Sequence, residues 1–343
     1  MTSPRYEFDT VPSPGETQTI APGLEWLRMP LPLALNHINL WLLEDGDQWI
    51  VVDTGMFTDD AKAVWQDVFD TVFEGRSIRH VIVTHLHPDH AGCAGWLTER
   101  AGCDLWMTRE EYLLCRLLVA DTGRKAPEEG LHFYRAAGFS EEALDAYQRI
   151  FGFFGRYISE LPEAYHRIAE DDVLSIGGRD WRVIIGRGHS PEHACLYNES
   201  DNLLISGDQL LPTISSNVGV YPTEPDANPL KVWMSTLENL KQQTDPDVLV
   251  LPAHGKPFRG AHERLDTLIH GHEQGLETLV EYCEEPRRAV DVFPALFKRE
   301  VGADSMIIAT GEALAHLHYL VEAGEVEKRD DDSGVSWFTR VSS

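Results

Sequence analysis

Hydrophobic and polar positions fall into short runs that switch between a strand period and a helix period. Residues 38–43 and 49–52 are apolar runs on either side of Glu44-Asp45-Gly46-Asp47, which predicts two strands joined by a tight polar turn. Residues 61–73 carry apolar side chains at helical spacing, and residues 80–83 form a β-rich run leading into Thr84-His85. This alternation predicts α/β layers. From about 108 to 170 the character changes: residues 109–120, 140–154 and 155–169 read as amphipathic helices rich in Tyr and Phe. Ser140 followed by Glu141-Glu142 supplies an N-cap and an acidic first turn. The stretch reads as a helical insertion between two strand-rich halves. Strands resume at 173–176, 181–185, 194–198, 203–206 and 248–251. Helices follow at 262–284, 289–297 and 310–323, then two short strands at 326–329 and 335–339. The organisation expected is an arm over 1–20, a catalytic domain over 21–258 and a C-terminal domain over 259–343.

With 43% hydrophobic and 25% charged residues the chain has a globular composition, and no apolar run approaches the ~18–20 residues a membrane helix needs. The polar start lacks a basic segment followed by an apolar one, so a cytoplasmic protein with a loosely ordered arm is expected. Five cysteines without CxxC spacing suit reduced, buried thiols rather than a disulfide frame. A formal net charge of −27 argues against nucleic acid as a partner. It leaves a small molecule open, because metal ions and a few Arg residues can set the potential inside a pocket.

The decisive segment is Thr84-His85-Leu86-His87-Pro88-Asp89-His90-Ala91-Gly92. Three imidazoles and a carboxylate follow directly on an apolar strand, and these donors suit zinc, iron or manganese. A tight loop at a strand's end can aim alternate side chains at two neighbouring points. His85 and His87 then serve one metal, and Asp89 and His90 a second.

This segment resembles the HxHxDH motif of the metallo-β-lactamase superfamily, and further motifs arrive in order over roughly residues 20–260. Val51-Val52-Asp53-Thr54-Gly55 is similar to the family's first motif, and Gly188-His189-Ser190-Pro191-Glu192-His193 to its GHTPGH segment. Ser206-Gly207-Asp208 matches its SGD segment, and Pro252-Ala253-His254-Gly255 its PGHG segment, with Ala253 in place of Gly. The resemblance implies a four-layer αββα fold carrying the helical insertion. It also implies two divalent metal ions per chain, zinc first, with iron or manganese as alternatives. One ion would take His85, His87 and His189, the other Asp89, His90 and His254, with Asp208 bridging both. Asp89 and Asp208 would serve catalysis as ligands of a cluster that lowers the pKa of a bridging water toward neutrality, giving a hydroxide nucleophile.

Around that set, Asp53 is expected to orient a ligand imidazole and His193 to brace His189, four residues away. His37, Phe151, Phe154 and Tyr157 are candidates for a substrate pocket roofed by the insertion, with Arg109, Arg116, Arg124 and Lys125 available to an anionic tail. The closing helices and strands resemble the winged-helix unit of lactamase-β-like nucleases. From Arg259 onward, however, 9 Lys or Arg face 17 Asp or Glu, which favours a structural or homodimer-forming role. Together these features imply a dinuclear hydrolase of a small ester or thioester, similar to hydroxyacylglutathione hydrolases. The alternatives are a phosphodiesterase or nuclease, a lactonase and a di-iron redox protein.

Overall fold

A computed structural model describes residues 4–32 and 35–341. β1 (Arg5–Tyr6) opens the chain. A first sheet runs β2 (Thr17–Ala21), β3 (Leu24–Pro30), β4 (His37–Asp45), β5 (Gln48–Val52), β6 (Ile78–Ile82), β7 (Asp104–Met107) and β8 (His166–Arg167), in that order. A second sheet is ordered β1-β14-β13-β12-β11-β10-β9. Its strands are β9 (Val173–Ile176), β10 (Arg179–Gly186), β11 (His193–Asn198), β12 (Leu203–Gly207), β13 (Leu249–Pro252) and β14 (Phe258–Arg259). The hairpin β15 (Val326–Asp330) and β16 (Ser336–Arg340) stands apart from both.

Between the sheets lies a core of Trp26, Trp41 and Trp181 with Ile50, Ile82, Val183 and Leu251. Alternation along each strand sends the remaining apolar residues to the outer faces, which helices cover. On the first sheet these are α1 (Asp59–Thr71), α2 (Pro88–Ala91) and α3 (Ala94–Ala101), with Trp65, Val68 and Leu97 buried against Leu40, Val51 and Val81. The insertion follows as α4 (Arg109–Ala120), α5 (Glu128–Ala136) and α6 (Glu141–Ile150). On the second sheet lie α7 (Pro229–Gln243), α8 (Ala261–Tyr282), α9 (Phe293–Leu296) and α10 (Met306–Ala323). Trp233, Leu265 and Leu317 share one core there with Ile184, Leu204 and Val250. The result is the four-layer αββα arrangement, with the closing helices built into its outer layer. Among the described residues no helix is long and apolar enough to cross a membrane.

Several local expectations need correction. Within the arm expected over 1–20, two described stretches are strands rather than loosely ordered chain: Thr17–Ala21 pairs with β3, and Arg5–Tyr6 pairs with β14. The helix expected over 155–169 is a single 3-10 turn, Phe154–Tyr157, followed by non-helical chain, in which Pro162 disfavours helix at the residue before it. Helix α5 went unread. So did α7, although Asn228 caps it by accepting from the Lys231 N–H and Pro229 opens it. The helix expected over 289–297 breaks into a 3-10 turn and the one-turn α9, where Pro294 offers no N–H to a longer ladder.

Candidate metal centre

Two of the parallel pairs, β5 beside β6 and β12 beside β13, bring four carboxyl-terminal strand ends to one edge of the sandwich. Asp53 follows β5, the His85–His90 loop follows β6, Asp208 follows β12 and His254 follows β13, while His189 lies in the loop after β10. Tight backbone makes the loops fit. Gly207 sits at φ 49°, and a Cβ there would meet His193 Nε2 at 2.5 Å. Asp53 takes φ 63°, a conformation a non-glycine residue rarely adopts and one that clusters at functional sites.

Two groups of side chains converge, each able to hold a metal ion: His85, His87, His189 and Asp208, and beside them Asp89, His90 and His254. His85 Nε2 lies 2.9 Å from His87 Nδ1, a spacing that suits two lone pairs aimed at one point. Asp208 faces both groups. Its Oδ2 is 3.4 Å from His189 Nε2 and 4.0 Å from His85 Nε2, while its Oδ1 is 3.6 Å from His90 Nε2 and 3.5 Å from His254 Nε2. Asp89 Oδ2 stands 3.3 Å from His254 Nε2 and 3.8 Å from His90 Nε2.

The outer ring nitrogens of three of these imidazoles are engaged. His90 Nδ1 donates to Asp53 Oδ2 at 2.8 Å, His189 Nδ1 to the Asn217 carbonyl at 2.6 Å, and His254 Nδ1 to the His37 carbonyl at 2.8 Å. That fixes the tautomer in which each Nε2 presents a lone pair to the centre. His90 Nε2, His189 Nε2 and Asp208 Oδ1 are buried with no hydrogen-bond partner among the described residues. Orphaned acceptors at this depth are costly, and the donor set of imidazole and carboxylate fits a pair of divalent ions. Burial opposes charge on His90, yet Asp53, Asp89 and Asp208 outweigh it and hold its pKa well above the usual imidazole value, so a divalent ion bound at Nε2 would displace a proton. Burial pushes His87 down to about 3, with His189 beside it adding to the effect.

The sequence-predicted partners divide. Asp53 Oδ2 accepts from His90 Nδ1, and its Oδ1 accepts from the Thr84 N–H at 2.8 Å. His193 does not brace His189; its Nε2 accepts the Asp208 N–H at 3.0 Å, because β11 carries it beneath the β12 loop. Replacing His193 by Ala strands that N–H, and a ~10–100-fold loss of metal affinity is expected by chelator competition. His37 is occupied with the His254 loop, accepting the Gly255 N–H at Nε2 while Nδ1 faces Asn36 Oδ1. Phe151 packs 6.0 Å from Tyr147 in the insertion's own cluster rather than in a pocket wall. Phe154 and Tyr157 pack on the core of the first helical layer, and the Tyr157 carbonyl accepts from the Phe57 N–H.

Four residues escaped the sequence reading. Glu111 of α4 is fully buried; Oε2 accepts the Leu86 N–H at 2.9 Å and Oε1 the Glu192 N–H at 2.7 Å, so one carboxyl ties two ligand loops. Asn217 holds His189, and Glu312 of α10 in turn accepts from Asn217 Nδ2 at 2.9 Å. Ser216 donates to the Asp208 carbonyl. Thus a closing helix reaches the centre through one short segment.

Residues 34–255 match the model of the metallo-beta-lactamase superfamily. The chain belongs to that superfamily. Residues 276–341 match a second model, the metallo-beta-lactamase-like C-terminal domain. A structure of a beta-lactamase domain protein from Burkholderia ambifaria is similar at 40% identity and TM-score 0.90, covering 98% of each chain. A Bacillus subtilis relative named as a probable metallo-hydrolase, YqjP, is 24% identical over 86% of this chain and 91% of its own. An Emericella nidulans relative named atrochrysone carboxyl ACP thioesterase is 24% identical over 74% of this chain, which spans 64% of that protein. Metallo-beta-lactamase superfamily membership thus accounts for both the sandwich and the placement of its ligand loops.

Proposed function

We propose that the protein is a dinuclear metal-dependent hydrolase of esters or thioesters. The observation that carries this reading is Asp208, whose two oxygens face separate groups of donors, His85, His87 and His189 on one side and Asp89, His90 and His254 on the other. Divalent ions bound there would supply Lewis acidity and lower the pKa of water toward neutrality. The chain's own part is to hold six imidazole or carboxylate donors and one shared carboxylate rigidly, with Asp53, Asn217 and His37 fixing ring orientation. Neither group includes a cysteine, and burial pushes the Cys93 thiol up to about 12, so thiolate chemistry is not favoured. The thioesterase name of a relative supports the acyl-thioester arm.

Protein isolated without chelator should contain close to two equivalents of divalent metal and hydrolyse small thioesters or esters in a metal-dependent way. Elemental analysis beside a panel of thioesters, lactones and phosphodiesters tests both parts. Full activity with a single equivalent would overturn the dinuclear reading. Turnover confined to phosphodiesters would replace the ester and thioester assignment.

A further inference from the structure

An open cleft of about 330 Å³ lies beside the His254 loop, lined by Val11–Pro14, Arg28, Met29, Pro30, Asn36 and His37. Strand register explains why it sits there. Trp26 pairs with Trp41 in the core between the sheets, and one step further along each strand Arg28 pairs with Asn39 and Pro30 with His37. Side chains two residues apart share a face, so Arg28 and Asn39 continue the inter-sheet face to its open edge. Asn39 Nδ2 donates to the Pro252 and Gly255 carbonyls at 2.8 and 2.9 Å, and the His37 carbonyl holds His254. The cleft floor is therefore attached directly to a candidate ligand loop.

Its far wall is attached to the same loop. Lys256 Nζ donates to the Asp9 carbonyl at 2.8 Å, drawing the arm against the segment that carries His254. Among the described residues neither Arg28 nor Lys256 has a carboxylate within ion-pair distance. In a chain of net charge −27, where Arg116 and Arg124 of the insertion pair with Glu163 and Asp121, a partly buried guanidinium facing a cleft without a carboxylate stands out.

We propose that this cleft is a substrate subsite in which Arg28 receives a carboxylate at the end of the substrate remote from the scissile bond. The inference rests on the hydrolase reading for the reaction, but the binding it asserts can be measured without turnover. A guanidinium matches a carboxylate with two parallel N–H donors, and the neutral Asn36 and His37 side chains add polar lining without repelling an anion. The acyl part and the thiol or alcohol part are both possible sources of that carboxylate.

The test uses the metal-loaded full chain and titration calorimetry with succinate, glutarate and adipate, each beside its monomethyl ester. At least one dicarboxylate should bind about 10-fold or more tightly than its ester, the scale of one charge-assisted hydrogen bond. Arg28→Gln should bring that ratio to about 2, the statistical value for two equivalent ends, and Arg28→Lys should restore part of it. Both variants should keep two metal equivalents and a cooperative thermal transition. An undiminished ratio in Arg28→Gln, or no dicarboxylate binding by the parent protein at ~10 mM, overturns the subsite. Succinyl and butyryl thioesters of N-acetylcysteamine, and the butyryl thioester of 3-mercaptopropionate, then tell the acyl source from the thiol source by KM. Absence of all thioester turnover would instead count against the hydrolase reading and leave the calorimetric ratio standing.

Discussion

Asp208→Ala should reduce bound metal from two equivalents to at most one and lower hydrolysis by at least ~10³-fold, since it removes the carboxylate shared by both groups of donors. In the parent protein Oδ1 faces His90 and His254 while Oδ2 faces His85 and His189, so one substitution opens both sites together. Burial penalises the charge on Asp208, but His254, His90 and His189 outweigh it and keep the carboxyl ionised well below the usual range. Without it, closely spaced imidazoles lose the charge that offsets metal–metal repulsion. Asp208→Asn separates shape from charge: the amide preserves packing but turns an NH₂ toward one group, so a single equivalent should remain. Elemental analysis and kcat on the best thioester check both variants. Two retained equivalents with near-native turnover in Asp208→Ala would show that the carboxylate does not bridge.

The convergence of these donors was legible because the loop after β6 concentrates His85, His87, Asp89 and His90 within six residues. His189, Asp208 and His254 each carried a local signature of Gly or Pro beside the polar residue, and the positive φ of Gly188, Gly207 and Gly255 shows what the glycines are for. The edges of the fold were less legible. β2 is only partly buried along its length, so its pattern gives little contrast between faces, and β3 has apolar neighbours at Trp26 and Leu27 that break alternation. The bracing contacts were not legible at all. His193 reaches the Asp208 N–H across two strands, and no spacing in the chain distinguishes that from a contact with His189. The cationic candidates Arg116 and Arg124 were read from the insertion, yet the structure pairs both with acids and leaves Arg28, on an unread strand, facing the cleft.

Glu111 shows the same limit most sharply, and it leads to the second large expected effect. In sequence it is an acidic residue in the first turn of α4, where the helix dipole alone would account for it. In the fold it is buried, with one oxygen on the N–H next to His85 and the other on an N–H three residues past His189. Burial pushes its carboxyl up to about 7 even though Ser190 and both N–H groups favour the ionised form. Glu111→Ala strands one buried and one partly buried N–H group at about 1–3 kcal/mol each, so a loss of ~2–6 kcal/mol is expected. For a chain of this size that corresponds to roughly 3–8 °C in the thermal midpoint. The two loops would also lose their common anchor, so metal affinity should fall by ~10–100-fold, as it does when other supports of ligand geometry are removed. Glu111→Gln keeps one acceptor but turns NH₂ toward the second N–H, and should fall between Ala and the parent. Thermal unfolding of the metal-free protein isolates the hydrogen-bond loss, while chelator competition on the loaded protein reads the coupling between loops. If Glu111→Ala unfolded at the parent temperature and bound metal with parent affinity, the insertion would not be anchoring the centre, and its place between the ligand loops would be packing alone.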